Sequence, residues 1–67
     1  MRFPTPEEIQ RARDRARHSQ AQAAAVVCVA RRTWQDWERG IARMNPALLE
    51  YYKLMTRQHE TLLVAPK

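Results

Sequence analysis

The sequence predicts a single, all-α domain. The chain has 67 residues, enough for one small hydrophobic core. It contains one glycine, and its four prolines lie near the ends or between segments. No stretch alternates apolar and polar residues for long enough to predict a strand. We therefore expect four or five short helices that fold as one unit over residues 1–67.

The first helix has a well-defined start. Thr5 suits the N-cap, Pro6 suits the first helical position, and Glu8 completes a capping box. We expect this helix to run to about Arg17. Its thin apolar stripe, at helical spacing, consists of Ile9, Ala12 and Ala16.

Two short helices should follow in close succession. Ser19 is a suitable N-cap for a helix over residues 20–27, whose small alanine side chains allow another helix to approach closely. A third helix should cover residues 31–39, because Gly40 favours a helix end. Between the two, we expect Cys28 to behave as a small buried hydrophobe.

A fourth helix is predicted from Asn45, the cap, with Pro46 in its first turn. Tyr51 and Leu54 lie on a second apolar face of this helix. The tail, residues 58–67, is predicted either to continue the helix or to form a short fifth one. The main apolar face consists of Leu48, Leu49, Tyr52 and Met55.

The third helix is predicted to have two chemically different sides. At 100° per residue, Trp34 and Trp37 share one side, which we expect to face the core. Arginine can bind guanine, glutamine can bind adenine, and aspartate can accept a hydrogen bond from cytosine. Asp36 can also pair with Arg32 four residues away on an ordinary solvated helix. The side opposite the tryptophans carries Arg32, Gln35, Asp36 and Arg39.

The charge balance favours an anionic partner. Twelve Lys and Arg residues oppose seven Asp and Glu residues, for a net charge of +5. Ten of the twelve cations are arginine, which binds phosphate groups and guanine edges through two hydrogen bonds. The composition therefore favours nucleic acid as a partner.

Other functional classes have little support in the sequence. The sequence has one cysteine and two histidines, which form no metal-ligand pattern. No motif surrounds a Ser–His–Asp or Cys–His set, and there is no glycine-rich loop for phosphate. The longest apolar run, residues 23–30, is far shorter than the ~20 residues of a membrane span. We expect a cytoplasmic protein that is not an enzyme and that has no metal, cofactor, small-molecule substrate or membrane partner.

Residues 19–40, SQAQAAAVVCVARRTWQDWERG, resemble the helix-turn-helix of the lambda-repressor-like, or Xre, family. The segment TWQDWERG is also similar to small phage and prophage regulators, among them anti-CRISPR-associated repressors. Three positions depart from the family pattern: Cys28 replaces a turn glycine, Ala30 replaces a Ser or Thr cap, and Arg17–His18 replaces Gly-Leu. The resemblance is carried by Ser19–Gln20, Ala24, Val27, Val29, Thr33–Trp34 and Trp37–Gly40.

The resemblance implies a sequence-specific repressor of transcription that binds double-stranded DNA with the third helix in the major groove. Activation instead of repression is left open. The residues expected to contact bases are Arg31, Arg32, Gln35 and Asp36. Those expected to contact the DNA backbone are Gln20, Thr33, Arg39 and Arg43.

A homodimer on an inverted-repeat operator is also predicted, because so small a domain gains stability from a partner. The alternative is that residues 46–67 cover only the core of their own chain. Two other functions stay open: a protein-interaction module such as an antitoxin, and a non-specific nucleic-acid binder. The expected dimer contacts are Tyr51, Leu54, Leu62, Leu63 and Val64.

Overall fold

The computed structural model describes residues 2–57, which form four α-helices and no strand. The all-α prediction is confirmed for this part of the chain. The first three helices lie within about one residue of their predicted bounds, and the fourth begins at the predicted residue. A fifth helix would fall in residues 58–67, outside the described range. The helices are α1 (Pro6–Ala16), α2 (Gln20–Val26), α3 (Arg31–Arg39) and α4 (Pro46–Met55).

Side-chain caps start three of the helices. The predicted capping box of α1 is present: Thr5 Oγ1 accepts from the Glu8 N–H at 3.1 Å, and Glu8 Oε1 accepts from the Thr5 N–H at 2.9 Å. Ser19 forms an equivalent box with Gln22 at the start of α2. Asn45 Oδ1 accepts from the Ala47 N–H at 2.8 Å at the start of α4. Local sequence therefore determines where these helices begin.

The connection between α2 and α3 turns at Cys28. Cys28 has a left-handed backbone (φ 59°), which costs a non-glycine residue about 1 kcal/mol. The prediction that its side chain is buried is wrong, because the left-handed turn directs the thiol to solvent while Val27 is buried. Ala30 caps α3 without a side-chain hydrogen bond, as its alanine side chain requires.

The core is built around two aromatic side chains, Trp34 of α3 and Tyr52 of α4, both fully buried. Their ring centroids are 5.0 Å apart. Met44, in the loop between α3 and α4, is also fully buried. Met55, at the end of the predicted apolar face of α4, is exposed, so that face extends beyond the core. The other buried apolar residues are Ile9, Ala12, Ala23, Ala24, Val27, Trp37 and Leu49.

Candidate nucleic-acid interface

The outer side of α3 carries the predicted base-contacting residues. Trp34 and Trp37 are buried, so the expected orientation of the helix is confirmed. The predicted contact residues on α3 are exposed or half-buried, because they lie in the first turn or opposite the tryptophans. They are Arg31, Arg32, Thr33, Gln35, Asp36 and Arg39.

Arg32 and Asp36 form the ion pair that their spacing allows. Arg32 Nε lies 3.5 Å from Asp36 Oδ1, and the two side chains are 78% and 24% exposed. An i,i+4 helix pair of this kind, with one partner in solvent and the other half-buried, contributes only about 0.3–0.5 kcal/mol. It therefore leaves the Arg32 guanidinium in solvent on the outer side of α3.

Glu38 is the buried polar residue of the core, and it joins three helices. Its Oε2 accepts from Arg13 Nε of α1 at 2.6 Å and from Trp34 Nε1 at 2.6 Å. Its Oε1 accepts from Arg13 Nη2 at 3.2 Å and from Gln20 Nε2 of α2 at 3.0 Å. Glu38 is not among the residues predicted to contact DNA, but its helical angle, only about 40° from Trp34, places it on the inner side of α3.

These contacts keep the Glu38 carboxylate ionised. Burial acts to raise the pKa of this carboxyl, but hydrogen bonds from Arg13, Trp34 and Gln20 outweigh burial and hold the pKa below its ordinary value of 4.5. The same pair raises the pKa of the Arg13 guanidinium. Glu38 therefore acts only as a hydrogen-bond acceptor at neutral pH.

Gln20 connects this buried group to the outer side of α3. Its Nε2 donates to Glu38, and its Oε1 accepts from Gln35 Nε2 at 3.1 Å. Both polar ends of a side chain predicted to meet a DNA phosphate are thus engaged within the protein. At the start of α2, within residues 2–57, the backbone N–H groups of Gln20 and Ala21 have no acceptor.

Two more of the predicted cationic contacts lie on α3, and another lies in the loop that follows it. Arg31 and Arg39 are exposed and form no ion pair with any residue from 2 to 57. In the loop after α3, the Arg43 guanidinium carbon lies 5.3 Å from the centre of the Phe3 ring. The outer side of α3 therefore carries positive charge that nearby acidic side chains do not fully compensate.

His18, in the linker between α1 and α2, contacts a core residue of α4. Its Nδ1 lies 2.8 Å from the Tyr52 hydroxyl. Burial raises the pKa of Tyr52 to about 12, so its phenol stays protonated at neutral pH. This contact joins residues 34 positions apart, so no local sequence pattern indicates it, and it ties the linker to α4.

The outer face of α4 carries an exposed apolar patch. Tyr51 and Leu54 are each 45% exposed, and Met55 is also exposed. Tyr51 and Leu54 are the predicted dimer contacts within the described residues. The other predicted contacts, Leu62, Leu63 and Val64, lie outside residues 2–57.

Between residues 2 and 57, no three His, Cys, Asp or Glu side chains are grouped as a metal site would require. No helix in that range is long and apolar enough to cross a membrane. Comparison with models of known protein families gave no match, and comparison with curated proteins gave none either.

The buried pair makes stability depend on Glu38. We predict that Glu38→Gln lowers the free energy of unfolding at pH 7 by about 3 kcal/mol, because it leaves Arg13 facing a neutral partner in a half-buried site. Urea denaturation followed by tryptophan fluorescence measures this change. Glu7→Gln is the matched control, since Glu7 is exposed in the first turn of α1.

The pH dependence of the free energy of unfolding distinguishes the effect of the Glu38 charge from that of side-chain packing. Because the folded state lowers the pKa of Glu38, its stabilising effect is present above 4.5 and is lost as pH falls through the folded pKa. The wild type should therefore lose its advantage over Glu38→Gln progressively as the pH falls below 4.5, through the lowered pKa of the folded state. A difference that stays constant over this range would contradict the account.

Proposed function

We propose that this protein is a sequence-specific DNA-binding repressor with a lambda-repressor-like helix-turn-helix formed by α2 and α3. The observation that supports this most directly is the two-sided character of α3. Its tryptophans anchor it in the core, while arginine, glutamine and aspartate side chains cover its outer side. Such a helix fits the width of the major groove and carries side chains that distinguish base pairs.

In the proposed complex, the contacts divide into two sets. Side chains in the first turn and on the outer side of α3 read base edges. Neighbouring side chains and backbone N–H groups bind the phosphates. At the start of α2, the backbone N–H groups make the phosphate contact, because the Gln20 side chain is already bonded within the protein. The base-reading set is Arg31, Arg32, Gln35 and Asp36. The other phosphate contacts come from Thr33, Arg39 and Arg43.

Repression would follow from occupying DNA that the transcription machinery needs. We further propose that two copies bind an inverted repeat, with half-sites about 10 base pairs apart. The exposed apolar patch of α4 supports this arrangement, because two-fold dimers bury the same patch on both subunits.

The DNA-binding proposal predicts a large preference for one sequence. The duplex most enriched from a randomised pool should bind ~10³-fold tighter than a scrambled duplex, measured by fluorescence anisotropy at about 150 mM salt. Arg32→Ala should weaken binding to the enriched duplex by about 1–3 kcal/mol, because a base contact is lost.

Arg11→Ala is the matched control, since it removes the same charge. Arg11 lines a groove between α1 and α4 with Lys53 and does not lie on α3. It should change binding to both duplexes slightly and equally. Equal loss in the two variants would favour a non-specific nucleic-acid binder. Lack of any binding would favour a protein-interaction module, such as an antitoxin.

The dimer proposal predicts self-association through α4. Sedimentation should show dimers of the wild type at high micromolar concentration and monomers of Leu54→Glu, because a charge would be placed in an apolar interface. Ile41→Glu is the control, since Ile41 is exposed in the loop after α3. A wild type that stays monomeric would contradict the dimer proposal. It would not bear on the proposed contacts between one copy of α3 and DNA.

A further inference from the structure

Three polar side chains form a line from the core to the outer side of α3. Glu38 accepts from Gln20 Nε2 at 3.0 Å, and Gln20 Oε1 accepts from Gln35 Nε2 at 3.1 Å. Glu38 is buried, while Gln20 and Gln35 are half-buried. The line thus begins at a fixed charge and ends at a side chain on the surface proposed to meet DNA.

The direction of each hydrogen bond in this line follows from chemistry. An ionised carboxylate can only accept, so Gln20 must turn its amide nitrogen toward Glu38. The Gln20 oxygen then faces Gln35, and Gln35 must supply a nitrogen donor to it. Arg13 keeps Glu38 ionised through contacts of 2.6 and 3.2 Å, so the whole series has one orientation.

This orientation determines what Gln35 can offer a base. One of its two N–H groups is bonded to Gln20, which leaves one N–H donor and the Oε1 acceptor. Adenine presents a matching N7 acceptor and N6 donor in the major groove. Guanine presents two acceptors, N7 and O6, so the Gln35 oxygen would face guanine O6 without a hydrogen between them.

We infer that Glu38, acting through Gln20, fixes Gln35 as a reader of adenine. Gln35 is then the specificity-determining residue, and Gln20 and Glu38 are positioning residues. The inference rests on the proposed function, because it requires α3 to lie in the major groove. It also gives Gln20 a different role from the phosphate contact that the family resemblance implies.

Selection from a randomised duplex pool, followed by sequencing, tests the inference. For the wild type we expect one position per half-site that favours adenine by about tenfold or more. Gln35→Met should remove this preference and keep the others. Gln20→Met should reduce it and admit guanine, because the Gln35 amide is then free to turn. Methionine matches glutamine in length and cannot donate a hydrogen bond.

Gln10→Met is the matched control. Gln10 Nε2 lies 3.5 Å from the Glu38 backbone oxygen, so it contacts the same residue without belonging to the line. This variant should keep the wild-type base preferences. Circular dichroism of every variant verifies that the helices are intact before selection.

A modified base provides a second readout that folding defects do not imitate. Replacing the favoured adenine by 7-deazaadenine removes the N7 acceptor. Wild-type affinity should then fall about tenfold, and that of Gln35→Met should not change. Equal losses in both proteins, or an adenine preference that survives in Gln35→Met, would overturn the role of Gln35.

An unchanged preference in Gln20→Met would overturn the positioning role of Gln20 and Glu38. If the wild type enriches no sequence at all, the proposed function fails and the inference fails with it. An enriched site whose adenine preference is independent of Gln35 leaves the proposed function standing and overturns the inference alone.

Discussion

The structure depends on one buried carboxylate. Glu38 is the only buried charged residue within residues 2–57, and it receives hydrogen bonds from α1, α2 and α3. A charge in so small a core is stable only when it is paired and its remaining lone pairs are satisfied, and Arg13, Trp34 and Gln20 meet both conditions. Because the same group contacts all three helices, their relative positions depend on its ionisation.

The network also links the core to the surface. Packing of Trp34 against Tyr52 sets the inner side of α3, and the indole donates to the carboxylate that orients Gln20. Gln20 in turn contacts Gln35, which lies on the outer side. The residues that hold α3 in place thus also constrain one of the side chains proposed to read DNA, so the geometry of that side chain need not be established when DNA binds.

Local sequence patterns predict much of the fold, but they do not predict the hydrogen-bond network around Glu38. Thr5, Ser19 and Asn45 predict helix starts because capping involves residues close in sequence. The angle of Trp34 on α3 predicts its burial because helical periodicity is a local property. The pairing of Glu38 with Arg13 joins residues 25 positions apart, and no local rule indicates that separation. Residue type alone predicts a buried thiol at Cys28, whereas the left-handed backbone at this position directs the side chain to solvent.

We propose that the outer side of α3 meets DNA, and the amide NMR shifts recorded on adding the enriched duplex measure this contact residue by residue. We expect the largest changes in the amides of residues 31–36, in the first turn of α2 and in the side-chain amide of Gln35. The Trp34 indole N–H should change little, because it is buried and bonded to Glu38. Changes centred on Tyr51 and Leu54 of α4, with α3 unaffected, would contradict the account.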